Sequence, residues 1–245
     1  MDFTGKVVLI TGASAGIGWA TALRFAQQGA KLSLLDINMD QLEKVKAKLE
    51  PYTRDVLIFH CDVSSEDAVK QAVAETLKTY GQIDILVNNA ALWRNYQPFL
   101  ETSNDIWKTY WDINMMGVVY CTRAVLPGML ERKTGSIVNV ASVAGVYGNA
   151  NMACYSATKG SLIAFTQALA KEVATHGVRV NALSPGTVSS SAVEDITFTE
   201  PNQLSYMGRT GSDLENANTI CFLASDDAPY LSGQNLQLDG VRKKI

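Results

Sequence analysis

The chain has little with which to hold a metal ion or staple a small fold. It contains two histidines, His60 and His176, and four cysteines, Cys61, Cys121, Cys154 and Cys221. No two of the cysteines stand close together, and no Cys-x-x-Cys or Cys/His cluster occurs. A structural zinc site is therefore not expected, and four buried thiols in a reducing compartment is the plain reading. A dominant charge is missing too: 21 Lys and Arg stand against 24 Asp and Glu, for a net charge of −3. The only tight basic run is Arg242-Lys243-Lys244. That leaves a nucleic-acid partner without a basic patch, and the run itself reads as a frayed tail. No apolar stretch approaches the roughly 20 residues that cross a bilayer. The opening MDFTGKVVLI has an acidic second residue and runs straight into a strand-like pattern, unlike a secretory signal. A soluble, cytoplasmic globular protein is the expectation that remains. A chain of 245 residues buries roughly 70–75% of its unfolded surface, and α/β folds of about 250 residues often form one unit. One domain, 1–245, is expected.

What is present is alternation. Short β-branched and leucine-rich runs recur at Lys6–Ile10, Lys31–Asp36, Val56–His60, Ile83–Val87, Ser136–Val140, Val178–Leu183 and Asn235–Leu238. Several are apolar throughout, as strands buried on both faces of a parallel sheet must be. Helical patterns fill the gaps: Ile17–Gln28, Met39–Leu49, Glu66–Tyr80, a long one near Asp105–Leu130, another near Ala153–Thr175, and Asp213–Leu223. Ser65 before Ala68, and Gly29, Gly81, Gly135 and Gly177, mark starts and stops. Strand and helix alternating throughout predicts a doubly wound α/β fold. The stretch 187–212, rich in Ser, Thr and Gly, lacks a pattern and is expected to be a substrate flap.

Straight after the first strand, Thr11-Gly12-Ala13-Ser14-Ala15-Gly16-Ile17-Gly18 leads into a helix. Glycines let the backbone turn tightly against a diphosphate, and the helix N-terminus offers free N–H groups and a positive dipole end. The spacing is not the ordinary G-x-G-x-x-G, and alone it also fits a simple strand–helix turn. Asp36 ends the second strand about 20 residues on, where a carboxylate accepts from adenosine ribose hydroxyls and repels a 2′-phosphate. With Ala15 and Ile37 beside it, no cation is placed to receive that phosphate. The preference reads as NAD over NADP. Asp62-Val63 and Asn89-Ala90 close the third and fourth strands, at the edge where open α/β sheets bind ligands. Asn89 is equally readable as a turn residue serving local backbone.

Tyr155 and Lys159 stand at i and i+4, hence on one face of a helix. An ammonium beside a phenol favours the phenolate and lowers its pKa from about 10, which suits proton exchange with a carbonyl or alcohol oxygen. A bare pair of this kind is also common on helix surfaces. Its company decides the matter: Ser142 ends the fifth strand, where it can donate to the same oxygen, and Asn114 lies mid-helix, where Asn is mildly unfavourable.

Together these residues resemble the short-chain dehydrogenase/reductase family over essentially the whole chain. The likeness runs from Thr11–Gly18 through Asn89, Asn114, Ser142, Tyr155-x-x-x-Lys159 and Pro185-Gly186 to Asp239-Gly240. It implies a Rossmann fold with a seven-stranded parallel sheet and a bound nicotinamide dinucleotide. It further implies a tetrad of Asn114, Ser142, Tyr155 and Lys159. By that likeness Tyr155 is the acid/base and Ser142 polarises the substrate oxygen. Lys159 holds the nicotinamide ribose and depresses the Tyr155 pKa, and Asn114 holds a relay water. Pro185, Gly186 and Val188 flank the nicotinamide, and Ser190, where the family has Thr, meets the carboxamide. A homo-oligomer, tetramer or dimer, follows from the same likeness. Two departures are Ala91 for a family Gly and Val241 for the second Gly of Asp-Gly-Gly.

The pocket walls are expected from Leu92–Tyr96, from Val143–Asn151, with Tyr147, Asn149 and Asn151, and from the 187–212 flap. They do not name a substrate beyond a small alcohol or ketone. The function expected is an NAD-dependent oxidoreductase interconverting a secondary alcohol and a ketone. The alternatives are an NADPH-dependent 3-oxoacyl-carrier reductase and, in another class, a non-catalytic dinucleotide sensor or scaffold.

Overall fold

In the computed structural model, residues 1–94, 96–190 and 195–243 are described. The predicted alternation is realised almost element for element. The first half runs β1 (Val7–Thr11), α1 (Gly16–Gln27), β2 (Lys31–Asp36), α2 (Met39–Leu49), β3 (Val56–His60), α3 (Glu66–Tyr80) and β4 (Ile85–Asn88). The second half holds α4 (Asn104–Trp111), α5 (Gly117–Arg132), β5 (Gly135–Val140), α6 (Ala144–Tyr147), α7 (Ala153–Val173) and β6 (Val178–Pro185). The short β7 (Val188–Ser189) and β8 (Gly211–Ser212) precede α8 (Asp213–Ala224) and β9 (Asn235–Leu238).

Seven strands form one parallel sheet in the order β3-β2-β1-β4-β5-β6-β9. Alternation along β1 shows why its apolar run is continuous. Val8 and Ile10 face Trp19, Phe25, Leu42 and Ile220 on one side, while Val7 and Leu9 face Val69, Val73, Cys121 and Val125 on the other. Burying each such side chain contributes roughly 1.5–3 kcal/mol, so both faces are committed to helices. Cys61, Cys121, Cys154 and Cys221 are all buried free thiols. Helix starts follow local chemistry. The Ser65 hydroxyl accepts from the Ala68 N–H, and Ser212 and Glu215 cap α8 reciprocally. Gly81, at φ 79°, ends α3 in the left-handed region.

Three local expectations are corrected. The long helix near Asp105–Leu130 is interrupted by a π-turn over Asp112–Met116, inside which Asn114 is buried. The run Asn104–Arg132 is also, by length and apolar composition alone, enough to cross a membrane. Its apolar side instead covers the sheet, with Val118, Cys121, Val125 and Met129 buried. The flap is folded where it is described: β7 pairs with β8, Pro201 bridges Arg209, and Arg209 pairs with Glu215 at 2.6 Å. Residues 191–194 of the flap, Asn95 of the expected wall and Lys244 of the basic run lie outside the described residues.

The sheet order reverses between β1 and β4, so the carboxyl ends of these two strands flank a crevice. That is where open α/β sheets take ligands.

Candidate active site

The crevice is a cleft of about 680 Å³. Its β1–β2 half is built from glycines. Gly12 sits at φ 64°, and a Cβ there would lie 2.8 Å from the Ala90 Cα. At Gly18 a Cβ would lie 2.0 Å from the Gly12 carbonyl oxygen, so Gly18 packs beneath the turn. The Asn89 amide donates to the carbonyls of Thr11 and Gly12, each at 3.0 Å, and the Thr11 hydroxyl accepts from the N–H groups of Asn89 and Ala90. These bonds stitch the end of β4 to the turn after β1. The turn-residue reading of Asn89 is thereby realised, since its side chain shapes the loop.

Helix α1 then starts with no side-chain cap at Ala15 and no acidic residue in its first turn. Its free N–H groups face the cleft beside Ser14, Gly16 and Ile17, as a diphosphate requires. At the end of β2, Asp36 accepts from the Ser14 N–H and the Asn38 N–H, each at 3.0 Å. The residues beside it, Ala15 and Ile37, bring no cation.

The β4–β5–β6 half carries the hydroxyls. Ser142 follows β5 and its oxygen accepts from the Ala144 N–H at 3.1 Å. Tyr155, in the first turn of α7, lines the same cleft as Ser142, whose hydroxyl favours the ionised phenol. Gly145 permits this approach: a Cβ there would lie 2.5 Å from the Lys159 carbonyl carbon, so α6 rests directly on the α7 backbone. Lys159 is 2% exposed. Its Nζ donates to the Val140 carbonyl at 2.7 Å and lies 5.8 Å from the Tyr155 ring centroid.

Of the residues expected to touch cofactor or substrate, Gly12, Ser14, Gly16, Ile17, Asp36, Asn89, Ala90, Ser142, Tyr155, Lys159, Pro185, Gly186, Val188 and Ser190 all line this cleft. Gly18, Asp62, Val63 and Asn114 do not. The Oδ1 of Asp62 accepts from the Ser64 N–H and hydroxyl, which closes an Asx turn. Ser190 points its hydroxyl to Asp213 at 2.8 Å. Burial pushes the Asp213 carboxyl up to about 6, with that hydrogen bond opposing. Among the expected walls, Tyr147 turns away to bond Gln237, and Asn151 uses its carbonyl on the Gln97 N–H. Thr187, at the start of the expected flap, lines the cleft, and so do Met152 and Arg242, which lie outside the expected walls.

Comparison with known proteins covers the chain almost end to end. The model of a family described as enoyl-(acyl carrier protein) reductase matches residues 12–240. A 3-oxoacyl-[acyl-carrier-protein] reductase of Thermotoga maritima is 38% identical over 243 residues, 98% of each chain. A 2-dehydro-3-deoxy-L-rhamnonate dehydrogenase (NAD(+)) of Sphingomonas sp. is 35% identical over 98% of this chain and 96% of its own. The chain belongs to the short-chain dehydrogenase/reductase family. Among solved structures, an NAD+-bound xylitol dehydrogenase superposes with a TM-score of 0.91 at 35% identity, over 98% of this chain and 100% of its own.

As a short-chain dehydrogenase/reductase, the protein is an oxidoreductase acting on CH–OH and keto groups. Two expectations about its tetrad change with the geometry. The Asn114 amide is engaged at both ends: its oxygen accepts from the Leu92 N–H at 2.7 Å, and its nitrogen donates to the Leu92 carbonyl and the Thr158 hydroxyl. No side-chain donor is left for a relay water; the amide clamps the segment after β4. Nor is the Tyr155 phenol lowered. Burial pushes it above its ordinary value, opposed by the Ser142 hydroxyl. Burial likewise holds the Lys159 amine down to about 8.

That depression costs stability wherever the unfolded chain carries the proton more readily. The sign is fixed: between about 8 and 10.5 the unfolded state binds more protons, so this group's contribution rises with pH and its penalty is complete below about 8. Lys159→Met is expected to be more stable than the native chain at pH 7. The shift bounds the gain at about 3 kcal/mol, less ~1 kcal/mol for the lost hydrogen bond. The gap should narrow as the pH is raised towards 10.5, as followed by urea denaturation of both proteins. A gap that does not change with pH would mean that the amine is not held down.

A second hollow, about 410 Å³, opens at the opposite edge of the sheet beside Lys6, Asp84, Arg179 and Tyr230. There Arg179 donates to the carbonyls of Leu223, Ala224 and Ser225 at the end of α8. This is a helix-capping arrangement.

Proposed function

We propose that the protein interconverts a secondary alcohol and a ketone with NAD as the redox partner, Tyr155 being the acid/base. The observation that carries this reading is the pairing, in one cleft, of the Ser142–Tyr155–Lys159 cluster with an uncapped helix N-terminus and Asp36. The glycine cradle at Gly12 and the carboxylate after β2 fit a dinucleotide without a 2′-phosphate. Gly12, Ser14, Gly16 and Ile17 would hold its diphosphate and Asp36 its adenosine ribose. Pro185, Gly186 and Val188 would flank its nicotinamide. Bound NAD supplies the hydride-accepting carbon.

The chain's own groups manage the proton and the oxygen. Ser142 donates to the substrate oxygen and fixes it against Tyr155. In the oxidative direction the phenolate of Tyr155 takes the hydroxyl proton, and in the reductive direction the phenol returns it to the carbonyl oxygen. Lys159, bound to Val140 here, is within reach of both Tyr155 and a ribose hydroxyl. Any relay through Asn114 uses its main chain in the π-turn, because its amide donors are spent. The whole chain acts as one catalytic domain, with 187–212 as the segment over the substrate, and as a homo-oligomer.

The second reading, an NADPH-dependent 3-oxoacyl-carrier reductase, is favoured by the Thermotoga relative at 38% identity. The two readings separate on cofactor and substrate together. NADH formation from NAD over a panel of sugar alcohols, hydroxy acids and cyclic alcohols is expected, with NADP a much poorer partner. Reduction of acetoacetyl-CoA by NADPH in preference to every such reaction would establish the second reading instead.

A further inference from the structure

The segment expected to fray is docked. The Tyr206 and Met207 N–H groups donate to the carbonyls of Val241 and Gly240, at 3.0 and 3.1 Å, and the Lys243 N–H donates to Leu204 at 2.9 Å. The Ser205 hydroxyl donates to the Gly240 carbonyl at 2.8 Å, and Ser205 and Arg242 pair as an antiparallel bridge. Within this strap Gly240 and Val241 have φ of 62° and 60°. A β-branched residue in the left-handed region is strained, its Cβ crowding the backbone. The strain sits where the family has glycine, and it is held by the pairing to 204–207.

The consequence is the placement of Arg242. Its side chain lines the cleft that also holds Asn149, Met152, Tyr155 and Lys159, and its Nη2 donates to the Asn149 Oδ1 at 2.9 Å. No ion pair engages it among the described residues. Among those residues the cleft's one carboxylate, Asp36, lies over β2, at the far half. A second cation, Arg94, stands exposed on the wall, 5.5 Å from the Trp93 ring centroid. A guanidinium has five donors in a planar fork, and a fork with one bond to a neutral amide and no ion pair among the described residues is matched by a carboxylate.

We propose that Arg242 binds a carboxylate of the substrate, so that the preferred substrates are hydroxy acids and their keto acids. This rests on the reading of Tyr155 as the reacting end. Asn149 orients the guanidinium, and the strained strap fixes its direction.

The test uses matched pairs, 3-hydroxybutanoate with 1,3-butanediol and gluconate with glucitol, on the full-length enzyme and its Arg242→Gln and Arg242→Lys variants. NADH binding serves as the check of the fold. The native enzyme is expected to prefer the acid of each pair. In Arg242→Gln that preference falls about ten- to a hundredfold, the scale of a charge-assisted hydrogen bond, chiefly through KM, and Arg242→Lys keeps part of it. Succinate, which has no reducible group, gives a reading independent of turnover: it should bind the enzyme–NADH complex about tenfold more tightly in the native protein than in Arg242→Gln. Arg242-dependent succinate binding without oxidation of any alcohol would uphold this site while sinking the proposed reaction. An unchanged acid preference, or a loss shared equally by acid and neutral partner, would overturn the site. So would an Arg242 effect confined to acetoacetyl-CoA, which would assign the guanidinium to a phosphate.

Discussion

Tyr155→Phe is expected to lower kcat by about 10²–10⁴-fold, the range assigned to a positioned acid/base, while the protein still binds NADH. The substitution removes one oxygen and leaves the ring where it packs, on the first turn of α7. What is lost is the hydroxyl on which Ser142 acts, in a cleft whose other titratable cation, Lys159, is turned to the Val140 carbonyl. Removing one hydroxyl costs at most about 1 kcal/mol of hydrogen bonding, too small to explain a loss of activity by unfolding. Stopped-flow turnover and NADH fluorescence titration on one preparation separate the effects. Retained turnover would remove Tyr155 from the chemistry, and loss of NADH binding would give it a cofactor role instead.

Asp36→Ala is expected to erode the preference for NAD over NADP by about a hundredfold, since placing like charges together costs several kcal/mol and each 1.4 kcal/mol is tenfold. Two effects act in the same direction. Removal of the carboxylate ends its repulsion of a 2′-phosphate, and it also takes away the acceptor for the adenosine ribose hydroxyls. The same carboxylate organises the Ser14 and Asn38 N–H groups, so the variant should bind both dinucleotides less well than the native enzyme binds NAD. Asp36→Asn keeps an acceptor for one of those N–H groups and isolates the charge. The measurement is kcat/KM for NAD and NADP in all three proteins, and an unchanged ratio would refute the cofactor assignment.

The fold was readable because its strands are apolar without interruption, which only burial on both faces explains. Met39–Leu49 and Glu66–Tyr80 were legible to the residue, since capping groups at Asn38 and Ser65 fix their starts. The gathering of Ser142, Tyr155 and Lys159 at one cleft was legible through spacing, an i,i+4 pair and a serine at a strand end. What spacing could not show is where a side chain spends its hydrogen bonds. Asn114 was placed correctly in a helix, but its amide serves Leu92 and Thr158, and the π-turn that turns it inward has no sequence pattern of its own. Asp62 reads as a ligand contact from its place at a strand end, and its Oδ1 closes an Asx turn on Ser64 that spacing does not reveal. Lys159 and Tyr155 share a helix face as their spacing requires, yet burial is the first cause acting on the protonation of each, which no local spacing reports.

Arg242 marks the other limit. A basic triplet reads as solvent-exposed, and the pairing of 240–243 with 204–207 joins segments about 35 residues apart, the separation at which Ser205 meets Gly240. The departure from family pattern at Val241 was the available signal, because a β-branched residue replacing glycine must either change the backbone or bear its strain.

Hydride transfer itself can be followed by isotope. The enzyme is incubated with NAD and a panel of secondary alcohols and hydroxy acids deuterated at the carbinol carbon, and the NADH formed is examined for label. Deuterium is expected at C4 of the nicotinamide with the native protein, and its transfer with Tyr155→Phe is expected to be about 10²–10⁴-fold slower. NAD bound without transfer from any member of the panel, or transfer undiminished in Tyr155→Phe, would contradict the assignment of this cleft as an NAD-dependent alcohol-oxidising site.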